Sequence, residues 1–68
     1  MIASLELISR LRAQPHIFAT LRDWEFAGST LRLYFDDVEF VPEIIGIAID
    51  MGLGVSNNDD VYSLIISE

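Results

Sequence analysis

Gly28-Ser29 separates two short runs in which apolar and polar residues alternate, Trp24-Glu25-Phe26 before it and Leu31-Arg32-Leu33 after it. A type II′ hairpin turn needs glycine at the first position of a two-residue loop, because that position has positive φ. The register imposed by such a turn sets Phe26 opposite Leu31 and Trp24 opposite Leu33 on one face. On the other face Glu25 falls opposite Arg32, an attractive cross-strand pair worth roughly 0.2–1 kcal/mol. Turn chemistry, apolar pairing and charge pairing all predict one antiparallel hairpin. Its first strand starts near Arg22, and Asp36 and Asp37 end the second.

The segments around the hairpin read as follows. Ser4 is a candidate N-cap. Leu5, Ile8 and Leu11 follow at helical spacing with Leu7 beside them, and Arg10 and Arg12 fall in the last turn, where cations suit a helix C-terminus. Pro15 stops this helix, which is predicted over residues 4–13. Ile17, Phe18, Leu21 and Trp24 also fit one helical face, with Pro15 in a first turn, but the hairpin favours a strand from about Arg22. Pro42, Glu43 and the later Gly52 and Gly54 are helix start and stop signals in the right order, predicting a helix over 42–53. The alternation of Ile45, Ile47 and Ile49 with Gly46 and Ala48 is the competing strand reading. Ser56-Asn57-Asn58-Asp59-Asp60 reads as a polar turn and Val61–Ile66 as the last strand. The expected fold is α+β, a single α-β-β-α-β domain over residues 1–68 with a three-stranded sheet and both helices packed on one face.

A chain of 68 residues buries only about 60% of the surface exposed on unfolding. With no cysteine and a single histidine, neither disulfides nor a structural zinc site can reinforce it. Stability must come from a dense apolar core or from association, and 51% hydrophobic residues suit either route. Leftover apolar surface predicts a homodimer or a partner-binding patch. The N-terminal Met1–Glu6 has no basic region of the signal-peptide kind, and the apolar run Ile44–Ile49 is far short of the roughly 20 residues that span a bilayer. These features predict a soluble, cytoplasmic protein.

Charge is distributed unevenly. The chain has no lysine, and its four arginines all lie by residue 32, where Glu6, Asp23 and Glu25 oppose them for a net of +1. From Leu33 onward there is no basic side chain but eight carboxylates, a net of −8, which gives −7 for the whole. Such a half repels nucleic acid and anionic membrane and attracts a basic partner. The candidate contact residues are Asp36, Asp37, Glu39 and Glu43, followed by Asp59 and Asp60. Tyr34, on the opposite face from Leu33 and Phe35 and near Asp36 and Glu25, is a candidate for contact with an arginine or lysine of that partner. The ordinary reading of adjacent aspartates is as solvated turn residues. Neither acidic cluster has the spacing of a calcium loop.

No catalytic constellation is present. His16 lacks any indicated nucleophile or orienting acid, no serine sits in a nucleophile elbow, and the Gly52-Leu53-Gly54 pair follows a helix where a phosphate loop would precede one. Trp24, Phe26, Tyr34, Phe35 and Phe40 lack the basic groove that a base-stacking platform requires, and Trp24 and Phe26 read as core. The expectation is therefore a non-enzyme with no cofactor and no metal. In size, acidity and absence of lysine the chain is similar to phage-encoded inhibitors of host defence, the anti-CRISPR and anti-restriction proteins. This likeness of bulk character implies an inhibitor that occupies a basic, nucleic-acid-binding protein surface by partial nucleic-acid mimicry. The alternative is an antitoxin-like or immunity-like subunit that homodimerises through apolar surface.

Overall fold

The computed structural model describes residues 2–57 and 61–68. Elements run α1 (Ile2–Arg12), α2 (Pro15–Phe18), β1 (Leu21–Ala27), β2 (Thr30–Phe35), α3 (Val41–Asp50), β3 (Gly54–Asn57) and β4 (Ser63–Ser67). The fold is a small α+β domain with an antiparallel sheet of four strands in the order β1-β2-β4-β3. The first half of the chain is therefore two helices and the second half one helix, each followed by two consecutive antiparallel strands, and the halves join along β2 and β4.

The β1–β2 hairpin has the register expected from its turn, with Trp24 opposite Leu33, Glu25 opposite Arg32 and Phe26 opposite Leu31. Gly28 has φ 63°, and no non-glycine residue described has positive φ, so Ser29 takes an ordinary conformation as a II′ turn requires. At the far end the register slips between Leu21 and Asp23, leaving Arg22 in a bulge. A bulge on an edge strand discourages pairing with another chain. Because β1 is an edge, Phe26 is 41% exposed and Trp24 only partly buried, which corrects the reading of both as core.

The sheet has four strands where three were expected. The additional strand, β3, falls on Gly54-Val55-Ser56-Asn57, which locally reads as turn because only Val55 has strand propensity. Its partner is the reason it forms: Gly54 pairs with Ser67 and Asn57 with Leu64. A Cβ on Gly54 would lie 2.8 Å from Ser67 Oγ, so glycine permits that close approach. The last strand is Ser63–Ser67 rather than residues 61–66, with Val61 and Tyr62 in the turn before it. Pairing with β2 sets this frame, placing Leu64 opposite Leu33 and Ile66 opposite Leu31 so that all four side chains enter the core.

The core is one cluster joining Leu31, Leu33 and Phe35 of β2 and Leu64 and Ile66 of β4 to the helices. Each leucine fully removed from water contributes on the order of 1.5–3 kcal/mol. In α1 the buried set is Ser4, Leu7, Ile8 and Leu11, an i, i+3, i+4, i+7 face. This corrects two expectations, since Ser4 sits inside the helix rather than capping it and Leu5 is 57% exposed. The fully buried Ser4 hydroxyl donates to Glu68 Oε2 at 3.4 Å. The ambiguous stretch 17–24 resolves into the end of one helical turn, Pro15–Phe18 with proline at its start, then strand from Leu21.

In α3, Val41, Ile44, Ile45 and Ala48 form the core-facing stripe, so helical periodicity prevails over the isoleucine alternation. Gly52, at φ 79°, ends this helix. The Gly52 N–H donates to Ile49 O at 2.9 Å and the Leu53 N–H to Ala48 O at 3.0 Å. With Leu53 and Ala48 both buried, this is a Schellman cap with its hydrophobic contact.

Candidate partner-binding surface

The acidic connection begins where β2 leaves the core. Phe35 is buried and its N–H donates to Tyr62 O at 2.8 Å; the next N–H, of Asp36, donates to Thr20 O at 2.9 Å. These bonds fix the root of the loop and leave the Asp36, Asp37 and Glu39 side chains in solvent. Asp37 Oδ1 accepts from the Glu39 N–H at 2.9 Å, so the aspartate organises the turn while its charge stays exposed. Phe40 then occupies the N-cap position of α3 and meets the His16 ring edge-on, with centroids 5.3 Å apart.

On α3 the residues Glu43, Gly46, Ile47 and Asp50 form a second i, i+3, i+4, i+7 stripe beside the core stripe; Glu43, Gly46 and Asp50 are exposed, and Ile47 is partly buried against the core cluster. Between this stripe and Gln14, His16 and Ile17 lies an open groove of about 520 Å³, with Phe40 in its wall. The loop acids and the groove are thus consecutive in the chain: Asp36, Asp37 and Glu39 lead into Phe40, and Glu43 and Asp50 follow on the helix.

None of the four arginines pairs with these five acids. Arg10 reaches Glu6 Oε1 at 3.4 Å, Arg12 lies 5.5 Å from the Phe18 ring centroid, Arg22 lies 5.9 Å from that of Tyr34, and Arg32 faces Glu25 across the hairpin. Tyr34 sits elsewhere, on the sheet face opposite the buried Leu33 and Phe35. Its hydroxyl donates to Glu25 Oε1 at 2.9 Å, and the Arg22 guanidinium carbon lies 5.9 Å from its ring centroid. Asp59 and Asp60 lie outside the described residues.

Sequence reasoning singled out the loop acids and Glu43 but not Gly46, Asp50 or the packing of His16 on Phe40. The spacing from Glu43 to Asp50 was available as a signal once 42–53 was read as helix; the groove also needs α2, whose position the sequence does not give. Among the described residues no three His, Asp or Glu side chains come together in a metal-holding group, and no helix is long and apolar enough to cross a membrane. No protein-family model, curated protein or solved structure matches this chain.

Proposed function

We propose that this protein is a small acidic inhibitor that occupies a basic, nucleic-acid-binding surface of a partner protein in the cytoplasm, in the manner of anti-CRISPR or anti-restriction proteins. The observation that carries the reading is the set Asp36, Asp37, Glu39, Glu43 and Asp50. All five are exposed along one continuous stretch of loop and helix, and no arginine of the chain neutralises them. The extent of mimicry is limited by size. The longest axis is 28 Å, and duplex DNA of that length carries about 16 phosphates at ~1.7 Å per charge. The eight carboxylates from Leu33 onward supply at most half of that, which suits a short stretch of one strand.

The test is competition. A basic nucleic-acid-binding protein captured from a host lysate should release its nucleic acid when this chain is added. Association should be fast and should weaken with salt, since charges farther apart than about 8 Å are screened at physiological ionic strength. Replacing Asp36, Asp37 and Glu39 with Asn or Gln should abolish competition while circular dichroism stays unchanged. Unchanged affinity and a flat salt response would leave the acids as solvated surface.

A second reading, a homodimerising antitoxin-like or immunity-like subunit, draws on Val61, Ile49 and Leu5, which are 72%, 60% and 57% exposed. Sedimentation at high concentration separates the two, because this reading requires a mass above that of the monomer.

A further inference from the structure

We infer that the groove between α2 and α3 seats an arginine side chain from a basic segment of the partner protein. The inference rests on the reading of the acids as a partner surface and adds to it a specific anchor. At about 520 Å³ the groove has the size of a ligand site, ordinarily roughly 300–1,000 Å³. Its apolar wall, from Ile17, Phe40 and Ile47, suits the methylene stem of a long cationic side chain. Glu43 and Asp50 supply the charge, and no arginine of the chain lines the groove to neutralise them.

Two residues of this groove go against the local preferences of the helix that carries them. Gly46 stands in the helix interior, where glycine is a poor choice, yet nothing lies within 4 Å of the Cβ it lacks. No packing inside the chain requires glycine there; its effect is to keep the groove floor open for close approach from outside. Asp50 stands in the last turn of α3, which has no basic residue, although the helix dipole disfavours an anion at that end. Residues that break a local rule without internal compensation point to a functional demand, and here both line the same groove.

Charge complementarity selects the occupant. A second copy of this chain, at −7 overall, is repelled by the acidic surface as a whole, whereas a basic segment is attracted to it. Arginine fits better than lysine, because its planar guanidinium both stacks on an aromatic ring and forks onto a carboxylate. Phe40 and Glu43, three residues apart on adjacent turns, offer both at one end. Asp50 lies seven residues beyond Glu43, roughly 10 Å along the axis at 1.5 Å per residue, and meets the next basic residue of the same segment.

The experiment is a nitrogen–proton correlation titration with N-acetyl-arginine methylamide, beside its neutral citrulline counterpart. Saturable shifts are expected at Ile17, Gly46 and Ile47 with the arginine probe and not with citrulline. They should vanish in Gly46→Leu, which fills the groove without altering charge, and weaken about tenfold or more in Glu43→Gln as a charge-assisted contact is lost. They should persist when Asp36, Asp37 and Glu39 are neutralised. Absent shifts, equal shifts with citrulline, or shifts that survive Gly46→Leu would overturn the inference, and Glu43→Gln gives an independent reading should Gly46→Leu not fold. Loss of groove binding with loop-dependent competition intact overturns the groove alone; the converse overturns the wider surface reading alone.

Discussion

Alanine at Gly28 and alanine at Gly46 should shift stability in opposite directions. At both positions an added Cβ meets nothing within 4 Å, so steric contact drops out and backbone conformation alone decides the sign. Gly28 sits at φ 63°, where an L-residue costs about 1–2 kcal/mol, partly offset by roughly 0.4–1 kcal/mol from a less flexible unfolded chain. The net expectation is a loss near 1 kcal/mol for Gly28→Ala, and a larger one for Gly28→Val, since a β-branched residue tolerates positive φ least. Gly46 has ordinary helical φ, so Gly46→Ala should gain about 0.5–1 kcal/mol. For a chain of 68 residues the unfolding entropy converts 1 kcal/mol into a Tm change of about 7 °C. Thermal unfolding followed by circular dichroism should therefore show Gly28→Ala lower by about 7 °C and Gly46→Ala higher by about 3–7 °C. Shifts of the same sign would refute the reasoning that φ governs both sites, and a destabilised Gly46→Ala would show an internal contact that the geometry does not contain.

Two further expectations concern the sheet. Glu25, Arg32 and Tyr34 form a solvent-facing group, so a Glu25/Arg32 double-mutant cycle should give a coupling of only ~0.2–1 kcal/mol that shrinks with salt, and Tyr34→Phe should cost at most about 1 kcal/mol. Gly54→Ala should destabilise through its 2.8 Å approach to Ser67 Oγ, and Ser67→Ala in the same chain should recover most of that loss in denaturant midpoint.

The hairpin was legible because glycine, apolar alternation and opposed charges each constrain the same register within a dozen residues. The third helix was legible from Pro42 and Gly52 at its ends, although its isoleucines argue locally for strand. The strand Gly54–Asn57 was not legible, because three of its four residues are glycine, serine and asparagine and its stability resides in β4. Ser4 and Leu5 misled for a related reason: spacing gives the width of an apolar face, but the neighbour it packs against decides which edge is covered. Of the candidate site, the loop acids were visible as charge. The groove was not, because its lining comes from two segments far apart in sequence, Gln14–Ile17 and Phe40–Asp50, while Tyr34 lies on the outer face of the sheet beside Glu25 and Arg22.

The assembly of the sheet from two helix-and-hairpin halves has a consequence for how this protein can change over generations. The acidic connection between β2 and α3 is the joint between those halves, and its side chains contribute nothing to the core cluster before Phe40. Joints of this kind are cheap to alter, since even doubling a loop adds only about 0.6 kcal/mol of closure cost. Asp36, Val38 and Glu39 can therefore change almost independently of selection for folding, which acts on residues such as Leu33, Leu64 and Ile44 and, through the turn it organises, on Asp37. A small protein arranged in this way can change the charge it carries between its halves without first losing its own structure.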